Sequence, residues 1–187
     1  MMTKFAPHSL TTAPEASRPG LAAAHKKLGF VPNMLGVLAE SPATLEAYQK
    51  LQEILGKSSF TPAEQQFLAL VVSVANGCTY CTAAYSLVAG NAGVAKPVIE
   101  AVRDGGPIAD KRLRALREFV FAVVERRGRV GDAEVQTFLV AGFSKAQVLE
   151  VLVAAAFKLI SNYANHIVGV PLDNAFQPYF WKAKEAA

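Results

Sequence analysis

The sequence contains little charge, only two cysteines and no long uninterrupted apolar run. Charged residues make up 18% of the 187 residues and hydrophobic residues 52%, a balance that excludes a disordered chain. Two cysteines cannot hold together a disulfide-rich mini-protein, and a chain of this length buries enough surface to need no such staples. The longest apolar run, 151–160, is interrupted by Lys158 and is too short to span a membrane. These absences favour one soluble domain with an ordinary hydrophobic core.

The charge balance and the first residues give no sign of a nucleic-acid partner or of export. With 19 basic and 15 acidic side chains the net charge is +4, far from the concentrated basic surface of a nucleic-acid binder. The basic residues of 111–129 cover several faces of a predicted helix, which is typical of a solvated surface. Residues 1–20 contain three prolines and no apolar stretch of the signal-peptide kind. We predict a cytoplasmic protein that binds neither nucleic acid nor membrane.

Signals for helix starts are frequent, whereas signals for strands are poor. Ser41-Pro42 and Thr61-Pro62 each place an N-cap residue before a proline at the first helical position. Glu64 completes a capping box with Thr61, and Gln147 completes one with Ser144. We predict an all-α fold of about seven to nine helices. The clearest of them cover about 42–56, 62–75, 78–90, 95–104, 110–127, 132–141 and 144–168.

The chain is predicted to form a short arm and one domain. Residues 1–20 are polar and proline-containing, so we expect them to lie on the surface or on a neighbouring subunit, and 21–187 to form one domain. The tail after Pro171 carries four aromatic residues and is expected to dock on that domain. The predicted helices 62–75 and 144–168 are apolar on more than one side and begin alike, which hints at a duplicated helix pair. Since one small domain cannot easily bury both, we predict a homo-oligomer.

The strongest chemical signal is Cys78-Thr79-Tyr80-Cys81, within a predicted core at about 60–90. Residues three apart on a helix share a face, so the two sulfurs can come within bonding reach. The Asn76-Gly77 break places Cys78 at a helix start, where the helix dipole lowers the pKa of a thiol. A thiolate attacks peroxides, and a neighbouring thiol converts the resulting sulfenic acid into a disulfide. Two inert buried thiols are the alternative reading.

Metal and cofactor chemistry find less support in the sequence. Zinc takes about four ligands, and the chain has no second cysteine pair and only three histidines, at 8, 25 and 166. No glycine-rich phosphate loop is visible, so we predict neither a metal nor a cofactor. His166 is the histidine of interest, because Asn162, Asn165 and His166 form a polar stripe at the end of an otherwise apolar helix.

Three segments carry a family resemblance. They are 60–85 with its Asn-x-Cys-x-x-Cys core, 28–34 followed by Ser41-Pro42, and Asn-Tyr-Ala-Asn-His at 162–166. Together they resemble the carboxymuconolactone decarboxylase family, in its alkylhydroperoxidase D-like, peroxidase-related branch, over about residues 25–175. The resemblance implies orthogonally packed, paired helices, a trimer or hexamer (a dimer being possible), and thiol-dependent reduction of a small hydroperoxide. It also implies a dithiol, thioredoxin-like or lipoyl reductant.

Two positions depart from the motif of that family. The family has a glutamate twelve residues before the first cysteine and a histidine four residues after the second, where this sequence has Gln66 and Tyr85. Glutamine cannot accept a proton, and tyrosine is no base at neutral pH, although its hydroxyl can donate a hydrogen bond to a thiolate. Tyr85 lies one turn after Cys81 on the same helix face. Glu64 lies near the lost carboxylate, but its capping box already explains it.

Three functions stay open at this point. We favour a thiol-dependent peroxidase or disulfide oxidoreductase in which Cys81 attacks, Tyr85 steadies its thiolate and Cys78 resolves the sulfenic acid. The attacker follows the family scheme, whereas helix-dipole reasoning favours Cys78. The first alternative is a non-redox enzyme of the decarboxylase type, with His166 as its acid or base. The second is a non-catalytic redox sensor or scaffold.

Overall fold

The computed structural model describes residues 5–182, and within them the chain forms nine α-helices, two short 3-10 helices and no strand. The predicted all-α class is therefore confirmed. The 3-10 helices cover Glu15–Ser17 and Asn174–Tyr179. The α-helices are α1 (Arg18–Leu28), α2 (Asn33–Leu38), α3 (Pro42–Gly56), α4 (Pro62–Ala75), α5 (Thr79–Asn91), α6 (Lys96–Asp104), α7 (Lys111–Glu125), α8 (Asp132–Val140) and α9 (Lys145–Val168).

Side-chain caps begin three of the long helices where the sequence predicts them. The hydroxyl of Ser41 accepts from the backbone N–H of Thr44 at the start of α3. Thr61 and Glu64 form the reciprocal capping box of α4, and Ser144 and Gln147 form that of α9. Each cap satisfies backbone donors that have no partner inside the helix, which stabilises a helix start by about 1 kcal/mol.

The N-terminal segment contains two helices that the sequence analysis does not predict, α1 and α2. α1 begins inside the segment assigned to the arm, and Ala13 and Ser17 before it are buried. The Ser17 hydroxyl donates to the Ala39 carbonyl at 2.7 Å, which ties this segment to the end of α2. The described part of the arm thus packs on the domain of its own chain. The domain boundary at residue 20 stays a prediction.

α4 lies at the centre of the fold, where it packs against α5, α7 and α9. Its residues 67–73 are fully buried, as its nearly continuous apolar sequence requires. The chain then reverses through Asn76 and Gly77, and the φ of +66° at Gly77 is a conformation that glycine adopts without strain. α4 and α5 consequently form a helical hairpin, and the predicted cysteine pair begins its second helix.

α9 has its polar residues inside and large apolar residues outside. Lys158, Ser161 and Asn162 are fully buried, whereas Leu149 and Ile167 are largely exposed. By length and composition α9 could cross a membrane, but that is weak evidence, because central helices of folded domains have the same composition. Its inner face packs on α3, α4 and α5. The fold therefore uses α9 to bring polar groups into the core.

Arg112 at the start of α7 joins α4 to the connection between α8 and α9. Its Nε donates to the Glu64 carboxylate at 2.6 Å, and its Nη1 donates to the Gly142 carbonyl at 2.7 Å. The guanidinium also lies 3.8 Å from the centre of the Phe143 ring, which stacks on Phe138. Glu64 is thus engaged in a cap and an ion pair, which agrees with its structural interpretation.

We expect Glu64→Ala to lower the free energy of unfolding by about 1–2 kcal/mol, because it removes half of a capping box and leaves Arg112 without its carboxylate. Urea unfolding followed by circular dichroism measures this loss. Glu53→Ala is the matched control, since Glu53 pairs only with lysines on the exposed face of α3. Equal midpoints for the two variants would contradict the central place given to Glu64.

Candidate functional site

The two cysteines lie in the first turn of α5, directly after the hairpin turn. Cys78 is the N-cap residue, and its backbone N–H donates to the Ser73 carbonyl at 2.9 Å. Its Sγ accepts from the backbone N–H of Cys81 at 3.3 Å, in the place where a serine or aspartate oxygen usually caps a helix. Both thiols are free and both are buried. The predicted position of Cys78 at a helix start is confirmed.

The sulfur of Cys81 faces α9. Cys81 is 2% exposed, and its Sγ lies 3.6 Å from the hydroxyl oxygen of Ser161, to which it donates. When Cys81 is ionised, the Ser161 hydroxyl can turn and donate to the sulfur instead. Asn162, the next residue of α9, accepts from the Asn76 side-chain amide at 2.9 Å through its Oδ1. Its own Nδ2 is buried with no hydrogen-bond partner among residues 5–182.

A lysine lies buried beside this pair. Lys158 is 0% exposed, and within residues 5–182 its Nζ has no hydrogen-bond partner. The ammonium lies 3.9 Å from the centre of the Tyr85 ring and 5.0 Å from that of Phe157. Ring faces attract a cation, but two rings do not replace the hydration that a buried ammonium loses. A charge kept at such a cost points to a functional site.

These surroundings shift the pKa values of the two thiols in opposite directions. Burial by itself raises the pKa of Cys81. The hydrogen bond with Cys78, the positive charge of Lys158 and the nearby polar side chains of Ser161 and Asn162, which can donate to an ionised sulfur, together lower that pKa below its usual range. The pKa of Cys78 is raised by its hydrogen bond to Cys81, by burial and by the negative charge on Cys81. Cys81 is therefore the more acidic thiol of the pair, and Cys78 is the less acidic one.

The structure brings three of the predicted site residues together and places two elsewhere. Tyr85 is buried next to the pair; burial raises the pKa of its phenol, which therefore stays neutral. The Cys81 thiol donates its hydrogen bond to Ser161 and not to Tyr85, whose ring contacts Lys158. Gln66 is half-buried on α4, without a hydrogen bond to either cysteine in the described chain. His166 is exposed at the end of α9 and stacks on Tyr163.

Lys158 and Ser161 are site residues that the sequence analysis does not identify. One signal was available, because Lys158 is an isolated charge inside the apolar run 151–160. A lysine among apolar helical neighbours either reaches solvent from the border of the buried face or is buried at a functional site. Nothing in the sequence shows which of these holds, since Cys81 is far away along the chain.

Tyr80, between the two cysteines, contacts two segments that we call the cover: the start of α2 and the C-terminal segment with Asp173 and Phe176. Its hydroxyl accepts from the backbone N–H of Met34 at 3.2 Å and donates to Oδ2 of Asp173 at 2.5 Å. The Asp173 carboxylate also accepts from the backbone N–H of Asn33. The Tyr80 ring meets Phe176 edge to face, with the centroids 5.8 Å apart. Tyr80 thus fastens the start of α2 and the C-terminal segment to the cysteine turn.

Neither sulfur opens onto the surface of the described chain. Three cavities of the described chain lie away from the cysteines. One lies between α1 and α3, one beside residues 7–11, and one between α7 and α8. A substrate therefore reaches Cys81 only when part of its packed surroundings moves, and a small substrate needs the smallest movement.

The fold and the site define a class of protein: an all-α domain with a helix-capping cysteine pair. Residues 42–117, which include both cysteines, match the model of the Carboxymuconolactone decarboxylase family. This match agrees with the resemblance found in the sequence, and the fold of the chain is alkylhydroperoxidase D-like. No curated protein matches the chain.

Solved structures support the fold at low sequence identity. An uncharacterized peroxidase-related protein from Ralstonia eutropha JMP134, with an alkylhydroperoxidase AhpD core, is 22% identical with a TM-score of 0.82, over 93% of this chain and 95% of that one. A peroxidase-related protein from Silicibacter sp. TM1040 is 20% identical with a TM-score of 0.77, over 94% and 95%. The debrominase Bmp8 is 20% identical with a TM-score of 0.76, over 95% and 96%. This fold therefore hosts more than one activity.

We expect Tyr80→Phe to speed labelling of Cys81 by a small maleimide between about fivefold and thirtyfold. The variant removes two hydrogen bonds worth ~1 kcal/mol each and so raises the population in which the cover is open. Labelling is followed by mass spectrometry at a pH where the protein stays folded. Tyr163→Phe is the matched control, because Tyr163 is half exposed on the outer face of α9. Unchanged labelling of Tyr80→Phe would show that the cover lies elsewhere.

Proposed function

We propose that this protein is a thiol-dependent oxidoreductase that reduces a small hydroperoxide through the Cys78–Cys81 pair. The observation that carries this proposal is the unequal environment of the two sulfurs. Cys81 is surrounded by donors and a positive charge, whereas Cys78 keeps its proton one helical turn away. A thiolate next to a protonated resolving thiol is the arrangement that peroxide reduction requires. It supports Cys81 as the attacking residue.

The reaction takes place in two steps. The Cys81 thiolate attacks the terminal oxygen of the hydroperoxide, the O–O bond breaks, and its electron pair leaves with the second oxygen, which is protonated to an alcohol or water. Cys81 is then a sulfenic acid. The Cys78 sulfur attacks that sulfur, water leaves, and the disulfide forms. A dithiol, lipoyl or thioredoxin-like reductant returns the two electrons by thiol–disulfide exchange.

The buried site favours a small substrate over a ring-sized one. The fold neighbour Bmp8 is a debrominase, and a cysteine-to-alanine variant of it was crystallised with 2,3,4-tribromopyrrole. A dithiol can also remove bromine reductively, since an aryl bromide and two thiols give the arene, a disulfide and hydrogen bromide. Because Cys81 is buried, a bromopyrrole ring would need a larger displacement of the surrounding side chains than a small hydroperoxide. We therefore place hydroperoxide reduction first and debromination second.

The non-redox alternative has less support. It depends on His166 as an acid or base, and that side chain lies on the outer side of α9 while the cysteines face the inner side. Reduced cysteines are required for our proposal, so we also propose that the protein works in the cytoplasm, where thiols stay reduced. A non-catalytic sensor would share the thiolate but would not turn over.

We also propose that the protein is a homo-oligomer held together by α9. The outer stripe of this helix consists of Leu149, Leu152, Leu159, Tyr163 and Ile167, all at least 44% exposed. Their spacings of three, seven, four and four residues keep one line along a helix, as in a coiled coil. The stripe is covered when a second copy packs the same face against it. A trimer, a hexamer or a dimer satisfies this requirement.

One equivalent of hydrogen peroxide should remove two hydrogens, about 2 Da, from the intact protein, located in the peptide that contains Cys78 and Cys81. With dithiothreitol as reductant we expect turnover in the wild type and none in Cys81→Ser. Cys78→Ser should accumulate a sulfenic acid that dimedone traps. Equal peroxide consumption by wild type and Cys81→Ser would reject the proposal. A wild type that consumes no peroxide but debrominates tribromopyrrole would favour debromination.

Replacing Leu152 and Leu159 together by lysine should convert the oligomer to a monomer, because two charges in the outer stripe cannot be desolvated against a second copy. Size-exclusion chromatography with light scattering measures the mass. Ile54→Lys is the control, since Ile54 is similarly exposed, at 42%, but lies on α3. A wild type that is monomeric at micromolar concentration would contradict the assembly.

A further inference from the structure

In the proposed peroxide reduction Lys158 contributes only its charge. Yet it is a fully buried lysine, and the burial of its ammonium costs hydration free energy. Its side chain extends from α9 and lies against the ring of Tyr85 on α5. Tyr85 follows Cys81 by four residues, so both lie on the same face of α5. Ser161, one turn further along α9, contacts the Cys81 sulfur. The lysine and the sulfur thus belong to one continuous cluster in which α9 faces α5.

The charge of Lys158 is not balanced by a carboxylate. Among residues 5–182, no acidic side chain forms an ion pair with it, and its Nζ has no hydrogen-bond partner. Charged groups in protein interiors are ordinarily paired, because the loss of hydration is otherwise several kcal/mol. The anion that the structure offers to Lys158 is the thiolate of Cys81.

The other titratable groups around Cys81 are weak acids. They are Cys78 and Tyr80 on the same turn, Tyr85 further along α5, and Tyr48 on α3. Burial raises the pKa of each tyrosine, and the pKa of Cys78 is raised chiefly by its bond to Cys81. Each of the four is thus a weaker acid than an ordinary phenol or thiol, which makes it a poorer proton donor to a leaving oxygen. An ammonium is the better donor.

Building on the proposed function, we propose that Lys158 is the proton donor of the peroxide step. Its ammonium balances the Cys81 thiolate before the reaction and protonates the oxygen that leaves when the O–O bond breaks. This assigns Lys158 the proton-transfer role for which neither Gln66 nor Tyr85 is suited. It also explains Tyr85, whose ring face holds the ammonium at 3.9 Å.

The protons balance over the whole cycle. The first step consumes the Cys81 thiolate, the Lys158 ammonium and the hydroperoxide, and gives a sulfenic acid, an alcohol and a neutral Lys158 amine. The second step joins Cys78 and Cys81 and releases water, which takes the thiol proton and the sulfenic hydroxyl. The disulfide form then holds a neutral amine in the apolar core. Reduction by an external dithiol supplies two protons, one to Cys78 and one to Lys158.

The charge of Lys158 is tested without any substrate, by thiolate absorbance at 240 nm as a function of pH, with Cys81→Ser subtracted. We expect Lys158→Met to move the thiolate midpoint up by about one pH unit, so that the thiolate fraction below the midpoint falls about tenfold, and Lys158→Arg to keep it low. Lys145→Met, on the exposed first turn of α9, is the matched control. An unchanged midpoint in folded Lys158→Met would overturn the pairing of Lys158 with Cys81.

Proton donation is tested with two oxidants of similar size. Hydrogen peroxide expels hydroxide, which needs a proton, whereas peracetic acid expels acetate, which does not. Each rate constant is divided by the fraction of Cys81 that is ionised at the pH used. After this correction Lys158→Met should react about 100-fold more slowly than wild type with hydrogen peroxide, and within about threefold of wild type with peracetic acid. Equal losses with both oxidants would overturn the donor role.

The controls keep the two proposals separable. Methionine has nearly the length of lysine and removes a buried charge, so the variant should fold, and thermal unfolding checks this. If it does not fold, Lys158→Gln takes its place in both measurements. A wild type with a low thiolate midpoint but no reaction with either oxidant would refute the peroxidase function while leaving the ion pair in place. A raised midpoint with an oxidant-independent rate would refute only the donor role.

Discussion

The structure of the site depends on a positive charge that the fold keeps away from water. Lys158 is fully buried against the Tyr85 ring, and in the described chain no carboxylate compensates for it. Such a charge makes the interior attractive for one kind of group, an anion, and Cys81 provides it. Against the effect of burial, this charge helps to lower the pKa of Cys81, together with hydrogen bonds to Cys78 and α9. The pKa of Cys78 is raised by its hydrogen bond to Cys81 and by burial.

α9 connects the chemistry with the proposed assembly. Its inner face carries Lys158, Ser161 and Asn162, whereas its outer face carries large apolar side chains. A surface helix ordinarily exposes polar residues, whereas α9 has apolar side chains on both faces, since Val151 and Phe157 are buried on the inner one. The inner face packs on α3, α4 and α5, and in the proposed assembly another chain covers the outer face. In that proposal one helix both contacts the Cys81 thiol and provides the surface for association.

The sequence predicts the helical frame well and the site only in part. Caps such as Thr61 with Glu64 are local, so they can be read from the sequence and match the observed helix starts. α1 and α2 were not predicted because their support is tertiary: the Asp173 carboxylate, far along the chain, accepts from the first N–H of α2. The cysteine turn was predicted from Asn76-Gly77. The contact of Lys158 with Tyr85 joins two helices that only the packed fold brings together.

The exposed position of His166 shows that residue spacing alone does not predict which face of a helix is buried. Asn162, Asn165 and His166 do stand on neighbouring positions of one helix, but the packing of α9 turns the two asparagines inward and leaves the histidine exposed. Periodicity groups residues on a face without stating which side is buried. Near the cysteines the same helix supplies its inward groups one turn earlier, at Lys158 and Ser161. A polar residue in the middle of an apolar helix is therefore a better guide to this site than the polar stripe at its end, because only the former must find its partners inside the protein.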